Sequence, residues 1–243
     1  MKKPITAVDL FCGCGGLSLG LSQAGVKVAA AFDYWEPALS VYRHNIKGHE
    51  ALKIDLSDSA KASKVIMPHT PDIIVGGPPC QDFSQAGNRK EGSRASLTES
   101  FAEIILAVKP LAFIMENVDR AEKSVSFASA KDMLSKGGYT LAHCVLDASK
   151  CGAPQKRKRL FCVGVKKSKY PKITSEMILS ELNANVSSES LSVKEYFKHN
   201  KLTKHLEGVK YYYRHPRNYS RRGIFSIDEP SATIRGVNRP VPS

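Results

Sequence analysis

The sequence lacks the features that would place it in or across a membrane. Its 243 residues contain no apolar run near the roughly 18 residues that a membrane-spanning helix needs. The first ten residues include lysines but no apolar core of the kind found in a secretory signal. We therefore expect a cytoplasmic protein, long enough for one substantial domain and a smaller second region.

Metal-binding spacing is also missing. The six cysteines form no Cys-x-x-Cys pair, and no His-x-x-x-His pair accompanies them. Cys12 and Cys14 lie too close together for half of a usual zinc site. We expect reduced thiols and no bound metal.

Acidic residues are scarce only in the second part of the chain. Residues 1–149 hold 16 Lys/Arg and 16 Asp/Glu, whereas residues 150–243 hold 20 and 7 and so carry the whole net charge of +13. This asymmetry favours a second part that faces a polyanion, with nucleic acid first among the candidates. A solvated, lysine-rich surface is the alternative, and charge alone does not separate the two.

Strand-like and helix-like segments alternate through the first part. Apolar runs predict strands at 5–11, 28–32, 72–75, 111–115, 140–146 and 160–165. Helical spacing predicts helices at 17–24, 37–45, 97–108 and 129–136. The alternation predicts an α/β fold with a mainly parallel sheet covered on both faces, its last two strands close enough to be antiparallel neighbours. Beyond residue 165 the pattern weakens into polar helical segments over 175–206 and then a segment dense in Arg and Tyr.

A glycine-rich loop follows the first strand. It runs from Asp9 to Leu17, and Gly13, Gly15 and Gly16 depart from the Gly-x-Gly-x-x-Gly spacing of a dinucleotide site, which argues against a nicotinamide dehydrogenase. Asp9 and Phe11 suit a ligand with a cationic or aromatic portion.

Two further acids follow later strands. Asp33 ends the second strand, where an acid commonly binds ribose hydroxyls, and Asp55 ends the third, where it can accept from an adenine amine. The three acids together predict an adenosine-containing cofactor without a pyrophosphate, S-adenosylmethionine. A tight strand–helix turn with incidental acids is the alternative.

The Gly-Gly-Pro-Pro-Cys80-Gln run follows the fourth strand. Two prolines restrict the backbone just before Cys80, at the strand end where α/β enzymes place reactive groups. A buried cysteine that acts only as a small hydrophobe is the alternative. The next residues, 81–96, have the composition of a loop that closes over a substrate.

Two other strand ends carry candidate groups. Glu116 leaves an apolar run, so partial desolvation would make it a usable proton donor, although a structural hydrogen-bonding role is favoured if Glu116 is taken alone. In Gln155-Lys-Arg-Lys-Arg159, alternation puts Gln155, Arg157 and Arg159 on one side and the lysines on the other. Arginine forks there can bind phosphate or a base edge, and a charged edge strand is the alternative.

Four motifs occur in the order Asp-Leu-Phe-x-Gly-x-Gly-Gly, Gly-Pro-Pro-Cys-Gln, Glu-Asn-Val and Gln-x-Arg-x-Arg. Together they closely resemble the motifs of the DNA (cytosine-5) methyltransferases of the restriction-modification type. The resemblance covers residues 5–165 and resumes at 221–242, where Asp228-Glu-Pro-Ser-Ala-Thr-Ile-Arg-Gly is similar to a segment that flanks target recognition. It implies a Rossmann-like S-adenosylmethionine-dependent sheet over 1–165. It also implies a small, basic and apparently incomplete target-recognition region over 166–243.

The resemblance also implies roles for individual residues. Cys80 attacks a cytosine flipped out of double-stranded DNA, Glu116 protonates its ring, and Arg157 and Arg159 steady the base and the closing loop. The implied cofactor residues are Asp9, Phe11, Gly13, Gly15, Gly16, Leu17, Asp33, Tyr34, Asp55, Leu56, Pro79 and Leu97. The implied DNA-binding residues are Gln81, Ser84, Gln85, Arg89, Arg94, Gln155, Arg221, Arg222 and Arg235.

One part of the family pattern is not found. A Gly-Asn-x-Val segment that completes the cofactor site has no counterpart here, so we expect a missing C-terminal segment or a second chain to supply it. An RNA cytosine-5 methyltransferase and a non-catalytic DNA-binding half of a split enzyme remain the alternatives.

Overall fold

The sheet is built from segments whose residues favour extended backbone and burial. The computed structural model describes residues 3–79, 96–214 and 222–233, and seven of the strands in these ranges form one sheet. Its members are β1 (Thr6–Leu10), β2 (Lys27–Asp33), β3 (Glu50–Lys53), β4 (Ile73–Gly76), β5 (Ala112–Val118), β6 (Tyr139–Asp147) and β8 (Lys158–Lys166). Their order is β3-β2-β1-β4-β5-β8-β6, and β1 to β5 pair in parallel. The predicted α/β fold with a mainly parallel sheet is confirmed, and β6 and β8 are neighbours.

Helices connect the parallel strands, as parallel pairing requires. They are α1 (Gly16–Gln23), α2 (Glu36–Asn45), α3 (Ser59–Ile66) and α4 (Leu97–Val108). Helix α5 (Val125–Lys136) leads from β5 to β6, and α6 (Ser175–Asn183) and α7 (Val193–His199) follow β8. Ser96 begins α4 with a capping box, because its hydroxyl accepts from the Glu99 amide while the Glu99 carboxylate accepts from the Ser96 amide. No helix in the described part of the chain is both long and apolar enough to cross a bilayer.

A large apolar core covers the sheet. Phe101 of α4 and Phe113 of β5 are fully buried, and their rings meet edge to face at 6.1 Å. Gly164 in β8 makes room for this packing, because a Cβ there would lie 2.1 Å from the Phe113 ring. The packing of the Phe113 ring therefore depends on a residue without a side chain.

Several boundaries differ from the sequence prediction, among them the end of β5, which runs to Val118 and so includes Glu116. The pattern predicts no bounded helix over 59–66, yet α3 forms there and begins with Asp58, whose side chain accepts from the Lys61 amide. Helix α5 begins at Val125 and not at residue 129, since Ser124 caps it. Asp55 does not end β3, which stops at Lys53.

The chain divides into two compact units that are not contiguous in sequence. The first comprises Met1–Cys144 and Leu160–Glu181, and the second Val145–Arg159 and Leu182–Ser243. In the second unit, β9 (Tyr211–Tyr213) pairs antiparallel with β10 (Ile224–Ser226), and β7 (Gln155–Lys156) pairs in parallel with β11 (Ser231–Ala232). The predicted functional division at residue 165 stays a prediction, and the structure groups residues 145–159 with the basic part.

Candidate active site

The sheet order itself indicates where a site lies. From β1 the chain builds outward through β2 and β3, and it then returns to place β4 on the other side of β1. In open α/β sheets, ligands bind beyond the carboxyl ends of the strands at such a switch in direction. The glycine loop follows β1 and the segment before Cys80 follows β4, so two of the predicted motifs flank this point.

Asp33 fastens the glycine loop. Its Oδ2 accepts a hydrogen bond of 2.8 Å from the Gly13 amide, and its Oδ1 accepts one of 2.8 Å from the Trp35 amide. Phe11 and Gly13 have φ angles of 54° and 53°, a left-handed backbone that such bonds help to hold. Each carboxylate oxygen can accept another bond, so binding to a ribose by Asp33 stays a prediction.

Asp9 lies behind the loop. Its side chain is fully buried, and Oδ2 accepts from the Ser18 amide at 3.1 Å and from the Ser18 hydroxyl at 2.6 Å. Burial raises the pKa of this carboxyl to about 7, against the opposing effect of the Ser18 bonds. In this structure Asp9 ties the end of β1 to α1, and a direct contact with a ligand stays a prediction.

The walls predicted for an adenine are unequal. Tyr34 and Trp35, which follow β2, are both exposed aromatics, at 66% and 64% exposure, and Lys53 lies over the Tyr34 ring. Leu56 is buried at 2% exposure and packs in the core, which Phe11 joins from its edge. Asp55 accepts from the amide and hydroxyl of Ser57 in a turn beyond β3.

The remaining predicted cofactor residues occupy helix starts and loop ends. Gly16 and Leu17 open α1, Leu97 opens α4 and Pro79 is the residue before Cys80. A Cβ at Gly13 or Gly16 would meet no heavy atom of the described residues within 4 Å. The loop therefore leaves open space on its outer side.

Glu116 and the segment before Cys80 lie side by side. A Cβ at Gly77 would stand 3.2 Å from Glu116 Oε2, so the carboxylate lies close against this glycine and a side chain there would be in tight contact with it. The buried Asn117 amide donates to the Pro78 carbonyl at 3.1 Å. These contacts hold the Gly-Gly-Pro-Pro segment against the end of β5.

The basic run 155–159, which comprises β7 and the first residues of β8, belongs to the second unit. Gln155, Arg157 and Arg159 are half-buried while Lys156 and Lys158 are exposed, the alternation that the spacing predicts. In the same unit the Arg157 amide donates to Asp147 Oδ1 at 3.2 Å, and Arg159 Nη1 donates to the Lys158 carbonyl. The catalytic roles of the two arginines stay predictions.

Arg222 is engaged within its own unit. It forms an ion pair through both terminal nitrogens with Glu229, donates to the Ile224 carbonyl at 2.6 Å and lies over the Phe225 ring at 4.8 Å. The segment after Glu229 continues into β11, where the Thr233 hydroxyl donates to the Lys156 carbonyl. This geometry gives Arg222 a structural role, and its contact with DNA stays a prediction.

Other predicted residues lie outside the described ranges. They are the nucleophile Cys80 and the DNA-binding candidates Gln81, Ser84, Gln85, Arg89, Arg94, Arg221 and Arg235.

Sequence reasoning missed three residues of this edge. Ser18 and Asn117 bond to the loops that carry the motifs, and Trp35 is an exposed aromatic directly after Asp33 and Tyr34. Only Trp35 had a readable signal, since it is the single tryptophan of the chain and follows a strand end.

Comparisons with known proteins agree with this arrangement. Residues 5–233 match the sequence model described as C-5 cytosine-specific DNA methylase. Over 97% of its length the chain is 48% identical to Type II methyltransferase M.HgiDI of Herpetosiphon aurantiacus and 46% identical to Type II methyltransferase M.HindV of Haemophilus influenzae. It covers 73% and 74% of those two proteins.

Solved structures extend the comparison to the fold. A prophage-encoded DNA modification methyltransferase from E. coli superposes with a TM-score of 0.64 at 30% identity, over 79% of this chain and 54% of that one. The Dnmt2 methyltransferase of S. pombe gives a TM-score of 0.62 at 20% identity, over 90% of this chain and 62% of that one. The second likeness is one of fold alone. The chain thus spans a little over half the length of the solved prophage enzyme.

Proposed function

Because the chain belongs to the C-5 cytosine-specific DNA methylases, we propose that it transfers a methyl group from S-adenosylmethionine to carbon 5 of a specific cytosine in double-stranded DNA. The activity proposed is that of the whole protein to which these residues belong. The observation that carries it is the Glu116 carboxylate against Gly77, in the segment that leads into Cys80.

In this proposal the reaction starts on a base flipped out of the duplex. The Cys80 thiolate forms a bond to carbon 6 while Glu116 donates a proton to ring nitrogen 3, so that electron density moves to carbon 5. Methyl transfer to carbon 5 is the chemistry that bound S-adenosylmethionine would supply. Carbon 5 then loses its proton to a base, the carbon–sulfur bond breaks to release the Cys80 thiolate, and ring nitrogen 3 returns its proton to Glu116. Arg157 and Arg159 are proposed to steady the base.

The described cysteines support the choice of Cys80. Burial raises the pKa of the Cys12 and Cys162 thiols, which keeps them protonated and weakly nucleophilic at neutral pH. Cys151 is exposed, and partial desolvation and the charge of Asp147 raise its pKa. The family motif and the rigid Gly-Pro-Pro approach single out Cys80 among the remaining thiols.

The glycine loop and the residues at the end of β2 fit S-adenosylmethionine. The exposed rings of Tyr34 and Trp35 offer stacking surfaces for an adenine, and Asp33 lies directly before them at the end of β2. The open outer side of Gly13 and Gly16 leaves room for the ligand. When bound, this cofactor supplies the electrophilic methyl group, and we propose that Asp33 holds its ribose.

The relatives suggest the setting. M.HgiDI and M.HindV are named as Type II methyltransferases, and we propose that this protein likewise serves a restriction-modification system in the cytoplasm. Its second unit, which carries most of the net positive charge, would face the DNA backbone.

Trapping on a duplex that contains 5-fluorocytosine tests the mechanism. Fluorine at carbon 5 cannot leave as a proton does, so the adduct persists and should survive denaturing electrophoresis. We expect trapping by the wild type and by the Cys151→Ser control, and none by Cys80→Ser. If Cys80→Ser formed as much trapped adduct as the wild type, the assignment of Cys80 as the nucleophile would be refuted.

Two further arms separate the alternatives. Labelled RNA of the same sequence, if trapped or methylated in place of DNA, would identify an RNA methyltransferase. Duplex binding with neither trapping nor methylation, in the presence of S-adenosylmethionine, would identify a non-catalytic DNA-binding subunit.

A further inference from the structure

A chain of hydrogen bonds leads from the glycine loop toward the surface of the first unit. Asp9 Oδ2 accepts from Ser18 Oγ at 2.6 Å, and Ser18 Oγ accepts from the Tyr42 hydroxyl at 2.7 Å. The Tyr42 hydroxyl lies 2.5 Å from His49 Nε2. Asp9, Ser18 and Tyr42 are fully buried, whereas His49 is half-buried. The chain therefore links the buried carboxyl to a residue that solvent can reach.

Helix α2, which carries Tyr42, and Ile46 directly after it also pack against the glycine loop. A Cβ at Gly15 would lie 2.2 Å from Ile46 Cδ1 and 2.9 Å from the Tyr42 ring. Gly15 also has a φ of 95°, which only glycine adopts without strain. Tyr42 thus contacts the loop through its ring and reaches Asp9 through its hydroxyl.

The donors in the chain allow two directions. When Asp9 is ionised, Ser18 donates to it and Tyr42 donates to Ser18, so His49 must donate through Nε2–H. When Asp9 carries a proton on Oδ2, it can donate to Ser18, and the chain reverses so that Tyr42 donates to the His49 lone pair. Reversal moves a proton from His49 Nε2 to the buried acid without opening the core, while His49 Nδ1 holds a proton or takes one up from solvent.

The groups around Asp9 determine whether its carboxyl holds a proton that this hydrogen-bond chain could deliver. Among the described residues its Oδ1 is buried without a hydrogen-bond partner. Four titratable groups act on the Asp9 carboxyl or lie near it. They are Asp33 at the end of β2, Cys12 in the glycine loop, and Tyr42 and His49 in the hydrogen-bond chain. Of these, only His49 joins the hydrogen-bond chain to solvent.

We propose that Tyr42 and His49 are positioning residues, which hold the glycine loop in its cofactor-binding form through Ser18 and Asp9. This inference rests on the proposed function, since it assumes that the loop binds S-adenosylmethionine. The proposed effect acts through the Tyr42 hydroxyl and His49 Nε2, which form the outer part of the hydrogen-bond chain.

The test compares two tyrosine hydroxyls in the full chain. Tyr42→Phe removes the link to Ser18 but keeps the ring against Gly15. Tyr139→Phe is the matched control, because that buried hydroxyl donates at 2.8 Å to the Pro110 carbonyl away from the loop. The dissociation constant of S-adenosylmethionine is measured by calorimetry and by Trp35 fluorescence between about pH 6 and about pH 8.5, and stability is measured by urea unfolding.

We expect both variants to lose stability, Tyr42→Phe somewhat more, since its hydroxyl contacts both Ser18 and His49 whereas that of Tyr139 contacts Pro110. Only Tyr42→Phe should raise the dissociation constant, by roughly three- to tenfold, the range that one hydrogen bond supplies, and change its pH dependence. His49→Phe should weaken binding in the same way, and His49→Gln, which can still donate to Tyr42, should restore it. This second pair also decides the question if Tyr42→Phe does not fold.

The outcomes separate this inference from the proposed function. Tight wild-type binding with the same constants and pH profiles in Tyr42→Phe, His49→Phe and Tyr139→Phe would overturn the positioning role alone. No S-adenosylmethionine binding by the wild type would overturn the inference together with the proposed cofactor.

Discussion

Replacing Asp9 by Asn should flatten the pH dependence of stability. The carboxyl has a pKa of about 7 in the folded chain against an ordinary value of 3.8. The folded state therefore binds this proton more tightly than the unfolded state, and stability falls as pH rises through that interval. Asn carries no charge, so this loss is absent from the variant.

The magnitude follows from the two pKa values. Between about pH 5 and about pH 8, the wild type should lose about 3 kcal/mol relative to Asp9→Asn, at roughly 1.4 kcal/mol for each pH unit inside the interval. The amide nitrogen adds a buried donor where Asp9 Oδ1 stands unpartnered among the described residues. That cost shifts the variant by a constant amount and leaves the pH slope unchanged.

Urea unfolding of the full chain, followed by circular dichroism at several pH values, measures the difference. Asp72→Asn is the control, because hydrogen bonds of 2.9 Å and 3.0 Å from Thr6 lower the pKa of Asp72. Its contribution is complete above the ordinary pKa and disappears only as pH falls further. The control should therefore run parallel to the wild type over this range, and an Asp9→Asn curve equally parallel would refute the reasoning.

Three further predictions concern other contacts. Gly164→Ala should destabilise the chain by about 3 kcal/mol, because the new methyl overlaps the Phe113 ring; an unfolding midpoint within error of the wild type would contradict this. Asp33→Asn leaves one acceptor oxygen for two backbone amides, so S-adenosylmethionine affinity should fall about tenfold in a calorimetric titration. Arg222→Gln and Glu229→Gln should each lower the melting temperature, and the double variant should be no worse than either; additive losses would show that the two side chains act independently.

Much of the fold could be predicted because its signals are local. Helix α4 occupies the predicted residues 97–108, since a capping box starts it and a left-handed Lys109 ends it. Strand β3 has only four residues, and α3 follows it closely, so neither has a long periodic pattern. Short elements of this kind are fixed by their neighbours in the sheet and by a single cap.

The candidate site was predictable in its positions but not in its contacts. Spacing places Asp9 and Asp33 at strand ends, and the structure agrees. Spacing does not show that Asp33 binds two backbone amides or that Asp9 is enclosed behind Ser18. These partners come from other elements, and Arg222 likewise meets Glu229 only once its unit has folded.

The discontinuous second unit has a consequence for the order of folding during synthesis. Gln155 and Lys156 pair in parallel with Ser231 and Ala232, far later in the chain. Since a ribosome adds residues one after another, β7 leaves it well before its partner strand exists. Contacts of such long sequence separation form late and slowly. Until β11 has been synthesised, a chaperone or a polyanion that covers β7 and the basic residues after it would protect this edge from pairing with another chain.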